Sequence, residues 1–380
     1  MSRRHQNVTA ATGSTSSSQL APPVPADYCQ SAFAACSRPD VASLLQQKYD
    51  DLGGWPTRQQ LPVLYSEDYN ISFWGLERLH PFDSKKFRGV LNLLEASSTL
   101  RAGQLVQAQE AAHGVLREVH TERYLRKLNS SSFTVAQVTE LVPLVFLPPF
   151  LLRRKVLRPM AAMAGGTMLA AALAIERGWA LNIGGGMHHA MPDSGGGWCV
   201  YADVHLAIRR LRTASGGALK RFMIIDLDVH QGNGVERCQQ LGEEAAEDVF
   251  ILDIYNGSAY PWDTQAKKAI NVKRELRPGT SDAEYLEVVS GALQEAFTAF
   301  PHPDLVLFLA GTDILAGDPL GRLSVSAEGV LRRDEMVWQA ALDHGAPIVQ
   351  VLAGGYTRES TPCIAASIEN LFQRFDLGHL

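Results

Sequence analysis

Three residues whose side chains can bind a metal occupy alternate positions of the chain. Asp226, Asp228 and His230 lie in the segment IDLDVHQGNG (225–234), directly after the apolar run 222–225. In an extended chain, side chains two residues apart point to the same face, so these groups would share one side of a strand end. Carboxylate and imidazole groups suit a divalent metal such as zinc. The segment therefore predicts a metal site at the end of a buried strand.

Short apolar runs elsewhere predict the sheet that would position this segment. The predicted strands are 180–183, 221–227, 248–254, 305–310 and 347–353. The predicted helices between and after them are Pro159–Arg177, Ala202–Arg212, Asp282–Ala299, Ala327–His344 and Pro362–Phe375. Continuous apolar strands that alternate with helices favour an α/β fold with a parallel sheet. Ser281 and Glu284 predict a capping box at the start of the third helix.

Glycines or polar residues follow four of these strands directly. His188 and His189 follow the first strand and three glycines, and Asp228 follows the second. Asp313 and Tyr356 follow the last two strands. In open parallel sheets, ligands bind outside the carboxyl ends of the strands. We therefore expect all of these side chains at one edge of one sheet.

A catalytic zinc site usually has three protein ligands and one open position. Asp313 is the best third ligand beside Asp228 and His230, because it ends an independent strand. Iron or manganese would accept the same donors.

The neighbouring groups predict acid–base chemistry at such a metal. One histidine of the adjacent pair would act as general base on the attacking water. Asp226 and Asn233 would orient the two rings. The hydroxyl of Tyr356 could donate to an oxyanion. Together these groups predict hydrolysis of a carbonyl compound.

Several motifs resemble the zinc-dependent histone deacetylase family, and its class IV branch most of all. They are GGGMHHA (184–190), DLDVHQGNG (226–234), GTDILAGDPLG (311–321) and GGY (354–356), within a resemblance that covers residues 62–375. The resemblance implies an arginase–deacetylase fold, a single domain whose central parallel sheet has about eight strands layered by helices. We place this catalytic domain at residues 61–380 and expect residues 1–60 to be a disordered or weakly ordered extension.

The resemblance also implies residue roles. Asp228, His230 and Asp313 would hold zinc. His189 would be the general base and later the acid, and His188 an electrostatic partner paired with Asp226.

Further roles follow from the same resemblance. Tyr356 would polarise the scissile carbonyl, and Gly197, Trp198 and Gly355 would line a narrow tunnel for the lysine stem. A structural potassium ion is implied near Asp226.

The implied reaction is hydrolysis of acyl-lysine side-chain amides in proteins, and the class IV branch is associated with long fatty-acyl groups as well as acetyl. The alternative is a small-molecule amidohydrolase such as an acetylpolyamine deacetylase. An arginase-like enzyme would need a second set of metal ligands, and a silent binding module would be expected to lose a catalytic group. One departure is Asn233, which stands where class I members carry an Asp. A neutral amide should raise the pKa of His189 less than a carboxylate would.

Composition narrows the choice of partners. The net charge of −5 and the pI near 6.1 do not indicate the excess of basic residues that is typical of proteins that bind nucleic acid directly. The apolar stretch Met160–Ile175 is shorter than the roughly 20 residues that span a bilayer, so we expect a buried helix and no membrane partner.

The five cysteines are scattered and predict free thiols. Residues 1–40 are rich in Ser, Thr, Ala and Pro and predict a disordered tail, or else an organellar import segment. Otherwise we expect the protein in the nucleus and cytoplasm.

Overall fold

A parallel sheet of eight strands forms the centre of the described part of the chain, in the order β2-β1-β3-β8-β7-β4-β5-β6. The computed structural model describes residues 33–378 except 34, 50–51, 53–54, 73–74, 102 and 243–246. The strands are β1 (Val63–Tyr65), β2 (Val106–Gln107), β3 (Trp179–Asn182), β4 (Phe222–Asp226), β5 (Val249–Asn256), β6 (Val272–Leu276), β7 (Leu305–Leu309) and β8 (Ile348–Val351). The expected α/β fold with about eight parallel strands is confirmed.

Helices occupy most of the remaining described chain. The α-helices are α1 (Pro39–Gln46), α2 (Lys86–Ala96), α3 (His113–Leu116), α4 (Glu122–Ser130), α5 (Ser132–Val138), α6 (Pro149–Leu152), α7 (Arg158–Arg177), α8 (Asp203–Ala214), α9 (Asn233–Leu241), α10 (Asp282–Ala299), α11 (Ala327–Asp343) and α12 (Ser360–Phe375). Short 3-10 turns lie at Glu67–Tyr69, Leu76–Leu79, Val142–Phe146 and Ala266–Ala269, and a π turn at Arg153–Leu157 joins α6 to α7.

All five predicted strands are present, with ends that differ by at most two residues. Every residue of β3, β4, β7 and β8 is buried, as expected for strands covered on both faces. The sequence reasoning missed β1, β2 and β6. Strand β1 has only three residues and β2 only two, which is too short for a recognisable apolar run. Strand β6 has buried apolar residues at its two ends but three charged residues between them.

Helix α7 is the core helix that the sequence predicts. Its residues from Pro159 to Ile175 are all buried, and it ends at Gly178, whose φ of 84° lies in the left-handed region. The helical run Pro149–Arg177 is long and apolar enough to cross a membrane, but 94% of its apolar window is buried inside the fold. That burial is typical of the central helix of a globular domain.

Two expectations about local structure are wrong. Part of the extension that we placed at residues 1–60 is folded, because α1 buries Val41, Ala42 and Leu45 on its apolar face. Ser281 is the N-cap residue of α10, yet its side chain accepts no capping hydrogen bond.

Residues 1–32, which include Cys29, lie outside the described residues, so the expectation of a tail or import segment there stays a prediction. The other four cysteines are buried free thiols, as expected.

Candidate active site

The predicted catalytic residues lie at the carboxyl ends of four neighbouring strands. β3, β8, β7 and β4 are adjacent in the sheet, and each is followed directly by the loop that carries its functional group. Parallel register fixes this convergence, because Asp226 at the end of β4 pairs with Leu309 at the end of β7, and Leu309 pairs with Val351. The expectation of one shared edge is confirmed.

The side chains of Asp228, His230 and Asp313 form a compact group of metal-ligand type. Their donor atoms lie within 4.8 Å of one another. Nδ1 of His230 is 3.1 Å from Oδ1 of Asp228 and 3.1 Å from Oδ2 of Asp313. Bonds of about 2.0 Å in a tetrahedral site place ligand atoms about 3.3 Å apart, so these spacings suit one ion. The donors therefore fit a divalent metal.

Burial and backbone contacts make these two carboxylates suitable ligands. Both are fully buried at 0% exposure, where two like charges need a compensating cation. Asp228 accepts the Gly354 N–H through Oδ2 at 2.7 Å, and Asp313 accepts the Val229 N–H through Oδ1 at 2.9 Å. Because these contacts fix each carboxylate, its other oxygen is held toward His230.

His188 is held as a charged partner beside this group. Its Nδ1 lies 2.9 Å from Oδ2 of Asp226, and its ring centroid lies 4.1 Å from that of His189. Burial lowers the pKa of His188, but Asp226 and Asp228 outweigh it and raise the pKa to about 9. Asp226 and Asp228 therefore favour the protonated form of His188, and the expected pairing with Asp226 is present.

His189 has the opposite character. Its Nδ1 lies 2.7 Å from Oδ1 of Asn233. Because an amide oxygen only accepts, Nδ1 carries the hydrogen and Nε2 keeps a lone pair. Burial, together with the charges of His188 and His230, holds the pKa of His189 well below its ordinary value. A neutral ring with a free nitrogen is suited to act as a base.

Two cavities meet at the catalytic group. The outer one has a volume of about 260 Å³ and reaches the surface beside Glu140 and Trp262. The inner one, of about 40 Å³, is lined by apolar and aromatic side chains that include Phe82 and Trp198. His189, Gly197 and Tyr356 line both cavities, so a substrate that enters from outside passes between these three residues.

The structure places two of the three expected tunnel residues in this passage. Gly197 has φ of +52°, and a Cβ there would lie 2.5 Å from Cδ2 of His189. The Trp198 ring lies 5.3 Å from that of Phe82 in the inner wall. The role expected for Gly355 stays a prediction. Gly355 is not among the residues that line these two cavities, and a Cβ there would lie 2.3 Å from the hydroxyl oxygen of Thr312.

A buried lysine supports the loop before Tyr356 and was missed by the sequence reasoning. Nζ of Lys86 donates to the carbonyl oxygens of Ala353 at 2.7 Å and Gly354 at 3.0 Å. Its side chain is only 1% exposed, at the start of α2. The sequence carries no signal for this contact, since the partners are more than 260 residues away.

Comparisons with known proteins agree with this geometry. The histone deacetylase domain family matches residues 80–371. The chain is 46% identical to "Histone deacetylase 2" of Arabidopsis thaliana over 316 residues, 82% of this chain and 79% of that protein. It is 26% identical to the "Histone deacetylase-like amidohydrolase" of Pseudomonas aeruginosa, over 75% of this chain and 74% of that protein.

A solved structure shows the same fold. The crystal structure of the HDA15 HD domain superposes with a TM-score of 0.65 at 21% identity, covering 83% of this chain and 94% of that domain. Members of the matched family are typically metal-dependent, which agrees with the grouping of Asp228, His230 and Asp313. The chain therefore belongs to the histone deacetylase family and is a hydrolase that acts on amides.

Proposed function

We propose that this protein is a class IV member of the family and removes acyl groups from lysine side chains of proteins, with zinc at Asp228, His230 and Asp313. The observation that carries the proposal is the passage between His189, Gly197 and Tyr356, which brings a base and a phenol to the same point as the metal ligands. Base, phenol and ligand group are what amide hydrolysis requires.

The ion that these ligands would hold supplies Lewis acidity toward water and the amide carbonyl. Nε2 of His189 is free to take a proton from the attacking water and can later return it to the leaving lysine amine. His188, kept charged by Asp226, stabilises negative charge that develops nearby. Burial, then Asp228 and Asp313, raise the pKa of Tyr356 well above its ordinary value, so its hydroxyl keeps a proton to donate to the carbonyl oxygen.

The inner wall favours an uncharged substrate. Phe82, Phe87 and Trp198 line the inner cavity, and the unpaired ammonium of free lysine would be costly to bury among them. Met160 and Met163 also line it. Methionine is unbranched and adapts to irregular shapes, so repacking of these two side chains would make room for a longer acyl chain. We therefore extend the proposal to long fatty-acyl groups.

The test is a direct comparison of acetyl-lysine and myristoyl-lysine peptides of one sequence. We expect hydrolysis of both, with a higher kcat/KM for the myristoyl peptide, and inhibition by a hydroxamate. A preference for acetyl would remove the long-chain part of the proposal. Failure on both peptides by a protein that retains its metal would overturn lysine deacylation.

A small-molecule amidohydrolase is the second candidate, and one relative carries the printed name of an amidohydrolase. The same assay decides between them when an acetylated polyamine is included as a third substrate. If the polyamine is turned over with a much higher kcat/KM than either peptide, the second candidate replaces the first.

A further inference from the structure

An exposed apolar surface lies beside the mouth of the outer cavity. Five of the eleven large apolar side chains that are exposed in the described residues fall within residues 133–150. We call Phe133, Val142, Phe146 and Phe150 the aromatic patch. Their exposed fractions run from 64% for Phe150 to 85% for Phe146. Contiguous exposed apolar side chains on a folded domain mark an interaction surface.

Hydrogen bonds hold the segments of the patch together. The Ser132 hydroxyl donates a hydrogen bond to the carbonyl of Leu147. Phe133 and Phe146 are the chain neighbours of these two residues, so the bond holds their segments side by side. The Arg153 guanidinium donates to the carbonyl of Asn129 at 2.8 Å and ties the chain after Phe150 to α4. The patch is therefore one surface built from α5, the turn Val142–Phe146 and α6.

The same segments reach the catalytic mouth. The N–H of Trp198 donates to the carbonyl of Val138 at 3.0 Å. Glu140, two residues further along, lines the outer cavity, with its carboxylate 3.3 Å from Nε2 of His80. Val142 of the patch follows after one more residue. A surface that covers the patch would therefore lie next to the entrance of the passage.

The surroundings of the patch are cationic although the protein as a whole is acidic. Residues 122–158 contain seven Lys and Arg residues against two Glu, in a chain whose net charge is −5. Asp68 and Glu110 pair with Arg158 from outside this range, and with these two carboxylates counted the local charge is still +3. Arg153 and Arg154 are exposed next to Phe150. The chemistry that fits this surface is therefore apolar and anionic together.

Charge argues against two occupants from within the protein. Residues 1–32 contain Arg3 and Arg4 but one acidic residue, Asp27, so that segment does not complement a cationic surface. A second copy docked patch to patch would bring two surfaces of like charge together. A phenyl ring that stays 85% exposed, as Phe146 does, projects outward and does not line a groove. Projecting aromatic side chains flanked by Lys and Arg suit insertion among lipid headgroups.

We propose that the aromatic patch docks the enzyme on an anionic phospholipid surface, with the mouth of the passage beside the bilayer. The proposed contact is peripheral, and it differs from the expectation from the sequence that the protein has no membrane partner. The proposal does not depend on which acyl group the enzyme removes.

Sedimentation with vesicles tests this proposal. We expect the protein to bind vesicles of phosphatidylcholine mixed with phosphatidylserine more tightly than vesicles of phosphatidylcholine alone, and to dissociate as salt increases. The double variant Phe146→Ser/Phe150→Ser should bind at least about tenfold more weakly, since it loses two inserting rings. Leu241→Ser removes an equally exposed apolar side chain outside the patch and should bind like the wild type.

Further readouts separate a lost surface from a lost fold. Both serine variants should keep the wild-type Tm and hydrolyse a short soluble acyl-lysine peptide at the wild-type rate. If the double variant unfolds, Arg154→Glu decides, because it lowers the local charge at an exposed position and should weaken binding. Absence of vesicle binding by the wild type, or equal binding by a folded patch variant, would overturn the proposal. Self-association through the patch, or capture of an acidic protein without vesicle binding, would also overturn it.

Discussion

Nδ1 of His189 lies 2.7 Å from Oδ1 of Asn233, so an uncharged amide orients the base of this site. A carboxylate in that position would favour the charged imidazolium, whereas the amide fixes the ring without adding a negative charge. Burial, His188 and His230 hold the pKa of His189 well below its ordinary value. A bound cation would lower this pKa further, in the same direction.

The first prediction concerns the pH profile. A base works only when it is unprotonated, so the low pKa of His189 should keep kcat/KM high below pH 6.5, the ordinary pKa of histidine. Asn233→Asp should raise the pKa of His189 and move the acid limb of kcat/KM to higher pH. Asn233→Ala is the control, since it should lower kcat without that shift. An unchanged acid limb, or a shift to lower pH in the Asp variant, would show that His189 is not the titrating base.

The second prediction concerns Gly354, which lies against both carboxylates of the metal-ligand group. A Cβ at this position would overlap Oδ2 of Asp228 and Oδ2 of Asp313. Gly354→Ala should therefore displace both ligands and reduce metal content and kcat together, by about tenfold or more. Gly291→Ala is the matched control, because a Cβ there meets nothing within 4 Å. Full metal content in Gly354→Ala would contradict the ligand assignment.

The third prediction concerns Lys86. Lys86→Met keeps the length of the side chain but leaves the carbonyls of Ala353 and Gly354 without their buried donor. We expect the free energy of unfolding to fall by about 2 kcal/mol or more. We also expect kcat to fall, because the loop before Tyr356 loses its support. Urea unfolding and steady-state kinetics measure the two effects.

Lys268→Met is the control for this variant. Nζ of Lys268 donates to the side-chain oxygen of Gln265 at 2.7 Å, and both side chains are exposed, so its loss should change stability by less than about 1 kcal/mol. Equal effects of the two substitutions would show that burial of Lys86 has no special role.

The central half of the sheet could be predicted from the sequence because its strands are continuous apolar runs. Strands β3, β4, β7 and β8 are such runs, and the loops after them carry the catalytic side chains. The edge strand β6 was missed because Lys273, Arg274 and Glu275 occupy its centre. Strand β6 is held in the sheet by its parallel pairing with β5, and a local sequence pattern does not indicate such pairing.

The site itself divides in the same way. Asp228, His230 and Asp313 were predicted because parallel strands end at a common edge, so residues far apart in sequence could be placed together. The contacts of Lys86 could not be predicted, because its ammonium donates to a backbone carbonyl more than 260 residues away in the sequence. The direction in which Gly355 faces could not be predicted either, because it follows from a φ of +135°.

The central claim is that Asp228, His230 and Asp313 hold the metal ion on which amide hydrolysis depends. The most direct test measures metal content and hydrolysis of an acyl-lysine peptide on the same samples of wild type, Asp313→Asn and His189→Ala. We predict about one divalent ion per chain in the wild type. Asp313→Asn should lose both metal and activity, and His189→Ala should keep the metal but lose activity. Wild-type turnover by Asp313→Asn protein that holds no metal would contradict the account.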